Sequence, residues 1–267
     1  MADARPLITL TTDFGEADYF VAAMKGAIYS INPSVELVDI THQIPPYDVY
    51  SAAFTLMCCY RDFPGGTIHL VVVDPGVGSA RRPIVAMTNS HSFVGPDNGV
   101  FSYIYGLEQV NRVVHVTASH YFRSPVSNTF QGRDVFAPVA AYLAKGVEWR
   151  MMGDEIDDPI KFNIPAPTIS AGSIRGQAIH VDRFGNIITN ITTAELTEEL
   201  MLANPRVKIG AHPLARVLTH FAEAQDGELF AYVGSAGLLE LALPKRSAAR
   251  TLEVRRGMVV EVVFQGN

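Results

Sequence analysis

The alternation of strand-like and helix-like patterns in the first half of the chain is the feature that most constrains its fold. A β-rich run over 7–12 is followed by apolar residues at helical spacing over 20–31, where Asn32-Pro33 ends the pattern. After a second helical stretch, the run over 67–73 has the pattern of a fully buried strand. Strands that alternate with helices form mainly parallel sheets with helices on both faces, and ligands gather beyond the strands' C-terminal ends. We therefore predict an α/β domain over residues 1–163.

The pattern changes after a stiff, proline-marked connector, Ile164-Pro165-Ala166-Pro167-Thr168. Beyond it the chain shows short β runs, such as 187–191 and 238–243, separated by Gly, Asn and Asp turns. We predict a linker over residues 164–171 and a smaller, β-rich domain over residues 172–267.

Composition excludes several classes of partner. The net charge is -6 and no Lys/Arg run stands out, so we expect neither a nucleic acid nor a membrane surface as partner. The chain has no apolar run of transmembrane length and no apolar stretch typical of a signal peptide, which favours a cytoplasmic location. None of the eight histidines lies in a two-His motif, so no metal site is predicted.

Asp13 ends the first β run and comes immediately before a Gly and a helix. A carboxylate in this place can accept hydrogen bonds from both hydroxyls of a ribose, as the acidic residue of dinucleotide-binding folds does. Asp is also favoured as a helix cap or turn former, so the residue alone leaves both interpretations open.

A second acid, Asp74, follows the buried run and begins a Gly-rich turn that ends at Gly78. Glycines let a backbone approach a ligand, and Arg81 or Arg82 would balance the carboxylate charge. A plain salt bridge at a turn fits equally well. The Lys-Ser/Thr pair that would follow the glycines of a phosphate loop is missing, which excludes that kind of site.

A third acid, Asp182, begins the segment Asp182-Arg183-Phe184-Gly185-Asn186 between two β runs. This segment has the composition of a hairpin turn, which needs no further function. A binding role and a turn role are therefore both open for it.

Six short motifs span the chain nearly end to end: Thr12-Asp13-Phe14-Gly15, Met24-Lys25-Gly26, Asp74 to Gly78, Pro96-Asp97-Asn98-Gly99, Thr129 to Pro138, and Phe184-Gly185-Asn186 with Thr189-Asn190-Ile191. Each motif alone is weak, but their common order is specific. Together they resemble the S-adenosyl-L-methionine (SAM) hydroxide adenosyltransferases, or SAM hydrolases, which are relatives of the bacterial fluorinase and chlorinase.

The resemblance implies a C-terminal β-barrel-like domain and a homotrimer with active sites between the N-domain of one subunit and the C-domain of the next. It implies that water attacks C5' of SAM in line with the C–S bond and gives adenosine and L-methionine. The sulfonium is a built-in leaving group, so neither a metal nor a cofactor is expected. The implied substrate contacts are Asp13 with the ribose hydroxyls, Asp18 on the same segment, Tyr47 and Phe130 packing on the substrate, Asp182 with the ammonium, Asn186 with adenine, and Ser235 and Ala236 with the amino acid and the base.

Asp74 indicates the hydrolase branch of this family, because the halogenases carry Tyr where this chain has Asp. A carboxylate would repel fluoride or chloride in a dry site, so water is the expected nucleophile. The hydrolases pair this Asp with an Arg and a His. Arg81 matches the Arg by position, and Arg82 is a near alternative.

The chain departs from the hydrolases at Gln131, where they have His in a Thr-Phe-His-Gly-Arg-Asp motif. An amide can orient a water but cannot take its proton near neutral pH. Three interpretations follow: Asp74 deprotonates the water, Gln131 only positions it, or the chemistry has changed. Ala236 also replaces an Arg of the fluorinase. A non-catalytic SAM or adenosine sensor is the main alternative function, and a SAM-dependent halogenase is disfavoured by Asp74.

Overall fold

The chain divides into two compact units, Met1–Asn163 and Ile164–Asn267. The structure, a computed structural model, describes residues 5–170, 172–212 and 215–264.

A seven-stranded mixed sheet forms the centre of the first unit. Its strands, in chain order, are β1 Leu7–Thr12, β2 Glu36–Thr41, β3 Ile68–Val72, β4 Pro83–Met87, β5 Ser92–Pro96, β6 Arg112–Val116 and β7 Gly153–Glu155. Their order across the sheet is β2-β1-β3-β5-β4-β6-β7. The strands β2, β1, β3 and β5 run parallel to one another. The strands β4, β6 and β7 continue the sheet in antiparallel pairs.

Four helices belong to this unit: α1 Phe20–Ile31, α2 Val49–Cys59, α3 Ser102–Leu107 and α4 Ala137–Ala144. Short 3₁₀ turns lie at Tyr60–Asp62, Ser119–Tyr121 and Trp149–Met151, and a π-helical turn, Gly132–Phe136, leads into α4. Among the described residues, every helix is too short or too polar to traverse a lipid bilayer.

The two faces of the sheet carry separate apolar clusters, as the alternation of side chains along a strand requires. On β3, Leu70 and Val72 pack with residues of α1 and α4. Val71 points to the opposite face, where it packs with residues of α2 and α3. The helices therefore cover both faces, which confirms the predicted α/β fold.

A closed barrel forms the second unit. Its strands are β8 Thr168–Ser170, β9 Ser173–Val181, β10 Ile187–Thr192, β11 Arg206–Ile209, β12 Ala215–Val217, β13 Phe230–Val233, β14 Leu238–Ala242 and β15 Val259–Val263. Seven of them close in the order β10-β14-β13-β12-β11-β15-β9, because β9 also pairs with β10, and β8 extends β9 alone. Two short helices, α5 Glu198–Leu202 and α6 Ala248–Thr251, and a 3₁₀ turn, Phe221–Glu223, complete the unit.

Alternating side chains fill the barrel. Leu239 and Leu241 of β14 and Val260 and Val262 of β15 belong to one buried cluster inside it. Glu240 lies between the two leucines and points to the outer face of the barrel.

Long, strongly patterned elements match the sequence predictions. The runs over 7–12 and 20–31 coincide with β1 and α1, and the run over 67–73 contains β3. The sequence predicted neither the three-residue strands β7 and β12 nor β11. The predicted linker over residues 164–171 contains a further short strand, β8.

His69 is a buried polar residue in the middle of β3. Its Nδ1 lies 2.8 Å from the Thr9 hydroxyl on β1, and its ring stacks on Phe93 with centroids 5.2 Å apart. Burial, together with the nearby His91, lowers the pKa of His69 to about 3. The folded chain therefore holds this imidazole neutral at pH values at which the unfolded chain binds a proton.

We predict that His69 contributes to loss of stability in acid. Between the unfolded pKa, near 6.5, and the folded value, the unfolded state binds the extra proton, so stability falls as pH falls. His69→Gln should reduce the loss of unfolding free energy between pH 7 and pH 5 by about 2 kcal/mol. Urea unfolding at the two pH values measures this, and the exposed His120→Gln serves as control. An unchanged pH dependence in His69→Gln would contradict the prediction.

Candidate functional site

Two acids meet at the C-terminal edge of the parallel strands. Thr12 at the end of β1 pairs with Val72 at the end of β3, so Asp13 and Asp74 both follow neighbouring strand ends. This is the edge at which open α/β sheets bind ligands. The placement agrees with the sequence prediction for both residues.

Asp74 is part of a buried polar network with Arg81 and Gln131. The Arg81 Nε donates to both carboxylate oxygens of Asp74, at 3.0 and 2.8 Å, and the Arg81 Nη2 donates to Asp74 Oδ2 and to Gln131 Oε1. The side chains of Asp74 and Arg81 are only 6% and 8% exposed. The guanidinium also lies over the Phe136 ring, 4.8 Å from its centroid. One arginine therefore balances the acid and orients the amide.

Arg82 belongs to a different ion-pair group. It pairs with Asp97, at 2.6 Å, and with Asp158, at 2.7 Å. Of the two arginines considered from the sequence, Arg81 is thus the partner of Asp74.

The orientation of the Gln131 amide follows from its partner. Arginine has only hydrogen-bond donors, so the Gln131 atom that faces Arg81 is the carbonyl oxygen. Gln131 lies directly before the π-helical turn. Its NH₂ group can therefore donate hydrogen bonds to a ligand. It can hold an oxygen atom but cannot accept a proton from it.

Asp13 connects the first strand with the segment before α2. Its Oδ2 accepts a hydrogen bond of 2.8 Å from the backbone N–H of Tyr47, a residue with a φ of 67°. Burial raises the pKa of the Asp13 carboxyl above its ordinary value, and the charge of Asp74 raises it further, while the Tyr47 hydrogen bond lowers it. Asp13 is therefore a residue of the cavity edge and not the cap of α1, whose N-cap is Tyr19.

A cavity of about 330 Å³ opens beside these residues, and its walls include Asp13, Phe14, Tyr47, Asp74, Phe130 and Gln131. Phe130 is buried, whereas Tyr47 is 73% exposed at the rim. Asp18 is exposed in the bend before α1 and does not line this cavity. The structure thus brings together all the predicted residues of the first unit except Asp18.

Asp182 and Asn186 form a hairpin turn between β9 and β10. The two carboxylate oxygens of Asp182 accept hydrogen bonds from the backbone and side-chain nitrogens of Asn186, each at 2.8 Å. Gly185 has a φ of 87°, and a Cβ there would lie 2.1 Å from Ser247 Oγ. The predicted turn is confirmed, and it is packed tightly against the start of α6.

This turn also lines a second cavity, of about 700 Å³, on the outer face of the barrel. Asp182, Asn186 and Ser235 line it, together with Tyr232 and Glu240, which the sequence did not predict as site residues. Ser235 and Ala236 are both exposed, and Ala236 is not part of the wall. The signal for Glu240 was a single acid inside the apolar run over 238–243.

Comparisons with known proteins match both units. The model of the SAM hydroxide adenosyltransferase N-terminal domain matches residues 8–153, and that of the C-terminal domain matches residues 176–261. The chain belongs to the SAM hydroxide adenosyltransferase family. This confirms the resemblance read from the six motifs.

Two relatives of this chain are named (R)-S-adenosyl-L-methionine hydrolase. The Thermus thermophilus protein is 36% identical, over 97% of this chain and 100% of its own length. The Salinispora tropica protein is 37% identical, over 94% and 95%. A fluorinase of Actinoplanes is more distant, at 27% identity over 98% of both chains.

A solved structure of similar fold is an uncharacterized conserved protein from Thermotoga maritima. It superimposes with a TM-score of 0.90 at 35% identity, covering 96% of this chain and 99% of its own. The adenosyltransferase architecture therefore extends over nearly the whole chain.

We predict that Asp74 and Arg81 are strongly coupled in stability. Arg81→Met leaves a buried carboxylate without its cation, which should cost about 3–5 kcal/mol of unfolding free energy. Adding Asp74→Asn removes the stranded charge, so the double variant should recover most of that loss. Urea unfolding of the single and double variants measures the coupling. Equal stability of the Arg81→Met variant and the double variant would contradict it.

Proposed function

We propose that this protein is a SAM hydrolase that releases adenosine and L-methionine. The observation that carries the proposal is the Asp74–Arg81–Gln131 network in the wall of a cavity at the C-terminal edge of the parallel strands. The relatives named (R)-S-adenosyl-L-methionine hydrolase support the same reaction, and they lead us to propose the (R)-sulfonium epimer as the preferred substrate.

The charge of Asp74 favours water over a halide as nucleophile. Arg81 balances the Asp74 charge from one side, but a chloride or fluoride ion beside the carboxylate oxygens would still be repelled by them. A water molecule carries no net charge and can donate a hydrogen bond to the carboxylate. The lower identity to the fluorinase agrees with this choice.

In the proposed step, the water oxygen forms a bond to C5' while the C5'–S bond breaks. The electron pair of that bond goes to sulfur, so methionine departs as a neutral thioether. The water proton passes to the Asp74 carboxylate, because the Gln131 amide is not basic enough to accept it near neutral pH. The Gln131 NH₂ group holds the water oxygen in line with the breaking bond. Of the three interpretations of Gln131, we thus propose positioning by Gln131 combined with proton acceptance by Asp74.

The remaining residues hold the substrate. We propose that Asp13 binds the ribose hydroxyls, with Tyr47 and Phe130 packing on the substrate and Asp18 on the same segment as Asp13. For the second unit we propose the contacts implied by the resemblance: Asp182 with the ammonium, Asn186 with adenine, and Ser235 and Ala236 with the amino acid and the base. The reaction, as proposed, needs no metal or cofactor.

Assembly and location are part of the proposal. A homotrimer with active sites shared between subunits rests on the family resemblance, and a cytoplasmic location rests on the sequence analysis. A non-catalytic SAM or adenosine sensor is the second candidate function, and Gln131 in place of the family His is the observation that favours it.

Incubating the pure protein with each sulfonium epimer of SAM, with and without chloride, tests the proposed function. We expect adenosine and methionine from the (R)-epimer, independent of chloride, and detect them by chromatography. Binding without products would support the sensor, and a 5'-halo nucleoside would overturn the choice of water as nucleophile.

Asp74→Ala should strongly slow adenosine release and spare SAM binding. Loss of the group that takes the water proton should lower the rate by about 10²–10⁴-fold. Turnover by chromatography and affinity by calorimetry separate the two effects. Equal turnover in the variant would remove Asp74 from the mechanism.

Gln131→His should raise the rate, because an imidazole near neutral pH can accept the proton that the amide cannot. It should also introduce a rise of the rate with pH near the His pKa, about 6.5, since only the neutral ring is a base. Rate measurements from pH 5 to 8 on both proteins check this. Gln131→Asn, which shortens the amide, is the control. A variant with neither a higher rate nor a new pH dependence would refute the assigned role.

A further inference from the structure

The cavity on the outer face of the barrel contains an acid with no assigned role. Glu240 of β14 lies opposite Tyr232 of β13 and Ile188 of β10. Its neighbours Leu239 and Leu241 point into the barrel, so the carboxyl group points outward into the cavity wall. Even so, the residue is only 8% exposed.

The hydrogen bonding of this buried acid is incomplete. The Tyr232 hydroxyl donates to Oε2, and Oε1 accepts no hydrogen bond from any residue that the structure describes. Gly234 makes room for the group, since a Cβ there would lie 1.9 Å from Oε1. A carboxylate packed this closely needs a partner for its second oxygen.

Glu240 also has no ion-pair partner among the described residues. Asp182 lines the same cavity, and within the described ranges neither acid forms an ion pair. Burial raises the pKa of the Glu240 carboxyl above its ordinary value, the Tyr232 hydrogen bond lowers it, and the charge of Asp182 raises it. Lys245 and Arg246 line the cavity as well, but among the described residues neither forms an ion pair with Asp182 or Glu240. The two acids are therefore open to pair with a cationic ligand group.

We propose that Glu240, held by Tyr232, is a second carboxylate that binds the α-ammonium of the methionine part of SAM together with Asp182. This inference rests on the proposed function for the identity of the ligand. An ammonium offers several N–H donors and a positive charge, so it can donate to Oε1 and pair with the carboxylates. The exocyclic amine of adenine could satisfy Oε1, but it is uncharged and would form no ion pair with either acid.

Two non-reacting ligands isolate this contact. S-adenosyl-L-homocysteine carries the amino-acid part, whereas 5'-methylthioadenosine keeps the nucleoside and the sulfur but lacks it. Glu240→Gln should weaken S-adenosyl-L-homocysteine about 10- to 100-fold, the loss expected for one hydrogen bond to a charged group. Its affinity for 5'-methylthioadenosine should stay within about twofold of the parent value. Titration calorimetry on the full chain measures both.

Two further variants control for packing. Glu199→Gln changes an exposed acid of α5 in the same unit and should alter neither affinity. Tyr232→Phe removes only the hydroxyl that holds Oε2, and it should weaken S-adenosyl-L-homocysteine less than Glu240→Gln does. An analogue of S-adenosyl-L-homocysteine that lacks the α-amino group should bind the parent protein and the Glu240→Gln variant equally. Thermal unfolding verifies that each variant is folded.

The outcomes separate this inference from the proposed function. Equal weakening of both ligands by Glu240→Gln would assign the residue to the nucleoside and overturn the inference, as would no weakening of either. If the parent protein binds S-adenosyl-L-homocysteine but hydrolyses neither SAM epimer, the proposed hydrolase function is refuted. The affinities of the variants still test the ammonium contact in that case. If Glu240→Gln does not fold, Tyr232→Phe and the deaminated analogue decide the matter.

Discussion

The buried hydrogen bonds of Arg81 to Asp74 and Gln131 are the interaction on which the rest of the first unit's site depends. An isolated charge with this little exposure is costly, whereas a pair with well-directed hydrogen bonds is tolerated. The pairing joins the turn after β3 to the segment before the π-helical turn, two parts of the chain 50 residues apart. It also fixes which atoms of each side chain can face a ligand, so the same contacts that hold the loop define its chemistry.

Much of the fold was predictable because burial leaves a periodic signal in long elements. The run over 7–12 is rich in β-forming residues, and the helix over 20–31 has apolar residues at helical spacing, so both could be predicted. Strands of three residues, such as Gly153–Glu155 and Ala215–Val217, are too short for any period. The antiparallel half of the first sheet and the closure of the barrel depend on pairings between distant strands, which local patterns do not encode.

The site was predictable where motif and topology agree, and less so elsewhere. Asp13 and Asp74 come directly after the ends of two neighbouring parallel strands, so the parallel sheet predicted that they lie at the same edge. The choice between Arg81 and Arg82 needed coordinates, because adjacent residues send their side chains to different partners. Glu240 could not be predicted as a site residue, because a polar residue between apolar ones is the usual pattern of a strand with one solvent-facing side. Only its burial distinguishes it.

The tight packing of Gly185 against Ser247 has a consequence for recognition. The backbone N–H of Ala249 donates to the carbonyl of Gly185 at 3.0 Å. The helix α6 therefore holds the hairpin by a hydrogen bond as well as by the packing of Ser247. Folding itself therefore removes the conformational freedom of the Asp182–Asn186 turn. A ligand that docks there meets a rigid template, and its affinity is not diminished by the entropy of ordering a loop.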